Sequence, residues 1–287
     1  LNGSIAIDEN QNILAIRFAD KVNLGAYNCY FGSFIGTRNI SITMGGVYKI
    51  PALAMQSELY YTNTVPVSAY RGAGRPDIAY AVERLIDHAT NEHGFDKVAF
   101  RKKNFIQVED FPYTNAVGTK FDSGDFKQVM DRALELSKYY EFESRRSSSA
   151  MQGKLRGIGI AYFIESSAAG NVSKDQIQGN FTKDGELHIF GVTGASGQGH
   201  ETSFTQIAAE TLGFPVEKIK YWGGKGDKKV IGNSTGGSRT LYGAGSAVVN
   251  MCLQFIEKLK PKAAQMLGVS LEEIHFEHGD WFARNSN

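Results

Sequence analysis

Arg71 and Arg75 stand four residues apart, with Gly72, Ala73 and Gly74 between them, Tyr70 before and Pro76 after. Glycine lets backbone N–H groups approach a ligand closely. A helix N-terminus favours negative charge, and arginine donates to anions through a planar fork. Residues 68–77 therefore suit an anionic or electron-rich ligand. A glycine-rich turn carrying two solvated arginines accounts for the same residues, and both readings stay open here.

Two further loops share this chemistry. Residues 193–202 contain Gly194, Gly197, Gln198, Gly199, His200 and Thr202. Residues 232–240 contain Gly236, Gly237, Ser238, Arg239 and Thr240. Each precedes a helical pattern and combines glycines with small hydroxyl or amide side chains. Gln198 both donates and accepts, which suits a ring with amide-like edges. Together the loops offer a polar cradle for a phosphate and a heterocycle. A tight turn before a capped helix is the simpler account of each loop alone. No Gly-Lys-Ser/Thr follows the glycines, so no Walker loop is present. No Gly-x-Ser-x-Gly elbow occurs, and no Cys/His cluster has metal-ligand spacing. His88 and His93 read as surface residues, and His275 and His278 as structural ones.

The elements that must hold these loops follow from periodicity. Residues 4–18 alternate as a β-hairpin. Residues 20–62, rich in Tyr, Phe, Ile and Gly, read as strands joined by glycine turns. A helix is predicted over 76–93, with Ile78, Ala79, Val82, Leu85, Ile86 and Ala89 on one face and a stop at Gly94. Pro76 suits its first position. Asp96 caps a short helix carrying Val98, Phe100 and Arg101. Another helix runs from Asp125 to about Tyr139, with Phe126, Val129, Met130, Ala133 and Leu134 inward. Residues 143–154 are polar and Ser-rich, as in a linker. Strands are predicted from Leu155 and through 175–194, with a turn at Lys183-Asp184-Gly185. A helix over 200–212 ends at Gly213, a strand covers 218–222, and a long helix runs from Tyr242 to Leu259, ending before Pro261. The fold class expected is α+β. Two mixed sheet-and-helix subdomains are expected, at 1–145 and 146–287.

Bulk properties exclude other classes. The chain has 287 residues, 42% of them hydrophobic, enough for a sizeable core. With 31 Lys+Arg against 30 Asp+Glu, no nucleic acid or membrane surface would be held by bulk charge. Cys29 and Cys252 are the two cysteines, so a disulfide framework is not expected and the cytoplasm fits best. No stretch reads as a signal peptide or membrane span. Both ends read as cut: the chain opens on Leu1 without Met, and residues 281–287 read as a hairpin lacking its return.

Five stretches in this order resemble one family: residues 61–66, 69–76, 101–106, 197–202 and 236–240. They resemble the molybdenum-binding large subunits of the xanthine oxidase and aldehyde oxidase family, nearest to its carbon monoxide dehydrogenase large-chain branch. The resemblance covers essentially the whole chain. It implies oxidative hydroxylation of a substrate carbon, with an aldehyde or N-heterocycle as substrate. It also implies a molybdopterin cofactor in its cytosine dinucleotide form, whose own dithiolene holds the metal, so no direct protein ligand is expected. By the same resemblance Gly197, Gln198, Gly199, His200, Thr202, Gly237, Ser238, Arg239 and Thr240 would bind that cofactor. Tyr70, Arg71, Gly72 and Ala73 would form the active-site loop, Arg71 near the metal's oxo ligands. A medium FAD-binding subunit and a small 2Fe-2S subunit would be partners, in a dimer of heterotrimers.

Two departures from the family pattern matter. The carbon monoxide dehydrogenases carry a copper-binding cysteine in the active-site loop, where this chain has Gly72. No Mo–Cu centre, and no CO oxidation, is therefore expected. The family's Gly-Phe-Gly-rich motif is absent from the 287 residues, and no Gly-Glu follows residues 236–240 to serve as its later segment, whose glutamate is the catalytic base, so the chain is expected to be an internal, inactive fragment. Two alternatives remain: a scaffold or binding domain of the same fold without chemistry, and a nucleotide-binding protein using the glycine loops alone.

Overall fold

The first thirteen residues fold back on themselves as the alternation predicts. In a computed structural model, β1 (Asn2–Ile7) pairs antiparallel with β2 (Ile13–Gly25), Ile5 opposite Ile16. Residues 1–167, 174–194, 196–225 and 229–283 are described. Ala195 and residues 284–287, which belong to the glycine-loop and chain-end readings, lie outside them.

The chain forms two compact units, Leu1–Glu165 and Ser166–Asn287. In the first, β3 (Ala52–Tyr61) joins β2 in parallel, giving sheet order β1-β2-β3. The strand-and-turn reading of residues 20–62 fails between these strands. A helical turn α1 (Gly32–Phe34) runs into a π-turn, Ile35–Asn39. Ile40, Met44, Val47 and Tyr48 are buried there, so the apolar residues taken for strands pack a coiled segment instead.

Helix α2 (Arg75–His93) buries Ile78, Val82, Ile86 and Ala89 as predicted. Pro76 falls one position inside its start, and Gly94 ends it with φ 67°. In α3 (Lys97–Asn104) the carboxylate of Asp96 accepts from the N–H groups of Val98 and Ala99. A short ladder, β4 (Tyr113–Thr114) with β5 (Lys120–Phe121), precedes α4 (Phe126–Leu136). Met130 and Leu134 are buried on α4, but Val129 and Ala133 face outward, so the apolar stripe is narrower than predicted.

Residues 142–151 form helix α5 (Phe142–Met151), so the Ser-rich stretch is not a linker. Serine at a helix interior costs only a few tenths of a kcal/mol, and a neighbouring ion pair, Arg146–Glu143 at 2.7 Å, spans one turn. Residues 155–165 join no sheet, contrary to the predicted strand. Ile160, Tyr162 and Ile164 pack on the first core, which draws this segment into the first unit. The first unit thus runs to Glu165.

The second unit opens with β6 (Gln178–Phe181), turns at 182–186, and returns as β7 (Leu187–Gly191). Helix α6 (His200–Leu212) crosses back, and β8 (Ile219–Gly223) pairs parallel with β7. Phe204, Ala208, Val248 and Cys252 are fully buried where α6 meets α7 (Ser246–Leu267). Helix α7 continues through Pro261. Proline removes one N–H and strains the turn before it, but Pro261 and Glu257, whose carbonyl loses its partner, are both exposed to water. A final hairpin pairs β9 (Ile274–Glu277) with β10 (Asp280–Ala283), so Trp281–Ala283 is itself the returning strand. No helix among the described residues is long and apolar enough to cross a membrane. Strands and helices mix without strict alternation, as the α+β expectation has it.

Candidate functional site

Within the first unit, residues 70–75 form a tight, strained loop. Gly72, Ala73 and Gly74 have φ of 89°, 48° and 90°. Gly72 and Gly74 take this conformation without steric cost, whereas Ala73 pays about 1–2 kcal/mol for it, so that one residue needs outside support. That support comes from the π-turn. The side-chain amide of Asn39 donates to the carbonyl of Ala73, and its oxygen accepts from Arg75 Nη1 at 3.1 Å. Gly74 lies so near the Ile35 carbonyl that an added Cβ would stand 2.5 Å from that oxygen.

The two arginines of this loop differ in kind. Arg75 is buried, paired with Glu165, and its Nε has no hydrogen-bond partner. Arg71 and Tyr70 are exposed. The account with two solvated arginines therefore holds for Arg71 only. A cleft of about 480 Å³ lies between α2 and residues 160–165, with Arg75, Glu83 and Glu165 in its wall. At Gly72 an added Cβ would meet the Pro76 ring at 2.7 Å. With φ of 89° as well, this backbone leaves no room for a side chain at that position.

In the second unit the other two loops are tied together. His200 is buried at the first position of α6, stacked on Phe204 with ring centroids 5.9 Å apart. Its Nδ1 lies 3.1 Å from the Gly194 carbonyl oxygen, and its Nε2 lies 3.5 Å from the Thr235 hydroxyl. The Thr193 hydroxyl donates to the Asn233 carbonyl at 3.2 Å. Tyr221 donates to the Thr193 carbonyl at 2.8 Å, and burial pushes its own pKa up to about 12. Asp175 accepts from the Asn233 N–H at 2.6 Å, and the Thr240 hydroxyl reaches Thr235 at 3.4 Å.

These ties leave the loop tips outward. Gly197, Gln198, Gly199, Thr202, Gly237 and Ser238 are exposed, and Arg239 and Thr240 half-buried. An added Cβ at Gly194, Gly197 or Gly199 would meet nothing within 4 Å. Gly237 and Ser238 take φ of 60° and 53° in succession. Arg239 Nε donates to the Ser234 carbonyl at 2.8 Å. Open, glycine-lined backbone beside an amide and a hydroxyl fits a large polar ligand rich in acceptors and donors. Among the described residues, no group of three or more His, Cys, Asp or Glu could hold a metal ion.

The expected site residues thus fall in two sets, Tyr70–Ala73 in one unit and Gly197–Thr202 with Gly237–Thr240 in the other. His200 sits inside the second set as a buried tie, with both ring nitrogens turned to protein. The motif at 101–106 is structural. Arg101, wholly buried, donates to Glu83 and Asp87 at 2.9 Å each, and Tyr48 donates to Glu83 at 2.5 Å. Asn104 bonds the Ile13 N–H at 2.8 Å and the Gln11 carbonyl at 2.9 Å, binding α3 to the first hairpin. Sequence reading missed Asn39, Glu165 and Asp175, which carry no local motif. Asn233 and Thr235 were inside a recognised loop without being singled out.

A fold of mixed small sheets with glycine loops at helix starts defines a class. Residues 132–287 match the model of the molybdopterin cofactor-binding domain, and residues 1–105 match a second model of the same description. The chain belongs to this family. The nicotine 6-hydroxylase large subunit of Paenarthrobacter nicotinovorans is 33% identical over 249 residues, 83% of this chain and 30% of that protein. The carbon monoxide dehydrogenase large chain of Hydrogenophaga pseudoflava is 30% identical over 96% of this chain and 36% of its own length. The crystal structure of quinoline 2-oxidoreductase from Pseudomonas putida 86 superposes with a TM-score of 0.86 at 28% identity, over 99% of this chain and 37% of the other. The chain spans about a third of the length of these relatives.

Proposed function

We propose that this chain is part of the large subunit of a molybdenum hydroxylase, bearing loops that hold the molybdopterin. The observation that carries this is the pair of tied loops in the second unit, which present Gly197, Gln198, Gly199, Gly237 and Ser238 to open space. The carboxamide of Gln198, able both to donate and to accept, would hold the pterin ring. Backbone N–H groups of Gly197, Gly199 and Gly237, with the hydroxyls of Thr202, Ser238 and Thr240 and the Arg239 guanidinium, would hold the ring and its phosphate end. When bound, the cofactor supplies a two-electron oxidising centre for hydroxylation of a substrate carbon. The cytosine dinucleotide form, an FAD subunit, a 2Fe-2S subunit and a cytoplasmic setting belong to the same reading. The free thiols of Cys29 and Cys252 agree with a reducing compartment.

Tyr70, Arg71, Gly72 and Ala73, in the first unit, are read as the substrate-facing loop of the enzyme, the role that the family resemblance gives them. Gly72 excludes the copper ligand of the CO-oxidising branch, and its crowding against Pro76 supports that exclusion. The substrate class is then an aldehyde or an N-heterocycle. Nicotine and quinoline, which appear in the names of two relatives, are the first compounds to try. The test is Gln198→Ala in the full-length parent complex. Loss of the amide's hydrogen bonds, about 1–3 kcal/mol, lowers cofactor retention about ten-fold at limiting supply. Unchanged molybdenum content would contradict the role given to Gln198.

A further inference from the structure

We propose that Asn39 is a positioning residue for the 70–74 loop, acting as a two-way clamp between the loop backbone and Arg75. This rests on the reading of that loop as the substrate-facing loop of the enzyme. Three independent features converge on it. Asn39 ends a π-turn, a rare geometry that concentrates at functional places. Its amide donates to Ala73, the middle of three left-handed residues, while its oxygen holds the guanidinium that begins α2. Asn39 and Arg75 are both buried, and the contact between them is shielded from bulk water.

The guanidinium is held from its other end by Glu165. Arg75 therefore spans from the π-turn to the segment 155–165, using Nη1 on one side and Nη2 on the other, with Nε left over. A residue able only to accept, or only to donate, cannot serve at position 39. The carboxylate of aspartate satisfies Arg75 but turns an oxygen toward the Ala73 carbonyl.

Trypsin reads the loop directly. Arg71 is exposed and followed by Gly72, a cleavable bond, whereas Arg75 precedes Pro76 and is protected by it. Lys183, exposed in the β6–β7 turn of the other unit, is an internal reference. In Asn39→Asp, cleavage after Arg71 should rise about ten-fold, the factor that corresponds to losing one buried hydrogen bond, with cleavage after Lys183 unchanged. Asn39→Ala, which removes both hydrogen bonds without adding a charge, should behave alike. Unchanged cleavage after Arg71 in both variants overturns the proposal. So does a parallel rise at both sites, which reports general loosening. In the parent enzyme at normal molybdenum content, Asn39→Asp should lower kcat with KM nearly constant, and an unchanged kcat also counts against positioning. The proteolysis result stands whether or not the parent carries molybdenum, so the two readings fail separately.

Discussion

His200 Nδ1 lies 3.1 Å from the carbonyl oxygen of Gly194, six residues earlier on the far side of a glycine loop. A carbonyl only accepts, so Nδ1 carries the proton, and in the neutral ring Nε2 accepts from the Thr235 hydroxyl. One buried side chain thereby fastens both glycine loops to the start of α6. His200→Phe keeps the ring's stacking on Phe204 but removes both hydrogen bonds. It should cost about 1–3 kcal/mol and speed amide exchange in residues 193–199 and 232–240. Urea unfolding and hydrogen exchange check this, and unaltered exchange in both loops would refute the tie.

Arg101 is wholly buried between Glu83 and Asp87. Removing one member of a buried pair strands the other charge, at a cost of about 3–5 kcal/mol. Arg101→Met should lower stability by that amount in urea titrations, and Arg101→Met with Glu83→Gln by clearly less. Equal losses would show that the charges are not coupled.

Asp110 accepts from Lys49 Nζ at 2.5 Å and from the Gln107 N–H at 2.9 Å. The Lys49 contact, followed by the backbone bond, holds its carboxyl below the ordinary value of 3.8. A depressed folded-state pKa contributes stability that is present above the ordinary value and lost as pH falls through the lower one. Asp110→Asn should therefore flatten the acid side of the Tm profile below about pH 4. An acid limb identical to that of the natural chain would contradict the assignment.

Cys252 is fully buried between α6 and α7, and burial pushes its thiol up to about 11. Cys29 is half-buried. Since the thiolate is the reactive form, a thiol-specific chromogenic reagent at pH 8 should titrate Cys29 in the native chain and both cysteines in guanidinium. Rapid native reaction of Cys252 would place it outside the core.

Gly72 offers a last local test. Its φ of 89° and the 2.7 Å approach of an added Cβ to the Pro76 ring make Gly72→Cys strained. The substitution should cost about 1–3 kcal/mol and fail to bind copper in the parent. Stoichiometric copper in that variant would show that the loop adapts.

What was readable from sequence follows physical range. Helix α2 was legible because its buried face and its Gly94 stop are local, and the same holds for Asp96 as a cap. The π-turn at 35–39 was not, because its apolar residues satisfy a strand pattern equally well until packing decides. Residues 155–165 look like a strand because Ile158, Ile160, Tyr162 and Ile164 alternate, yet a strand needs a partner that no local pattern supplies. Pro261 misled for a similar reason, since only solvent exposure of its turn shows that the helix tolerates it. The glycine loops were found by composition, whereas Asn39, Glu165 and Asp175 act across 36, 90 and 58 residues and leave no local trace.

The most direct measurement is the molybdenum and cytidine monophosphate content of the full-length parent, purified from molybdate-supplied cells and hydrolysed in acid. The account predicts both, in equal amounts and without stoichiometric copper. A folded parent holding neither would contradict it and leave these loops as a scaffold.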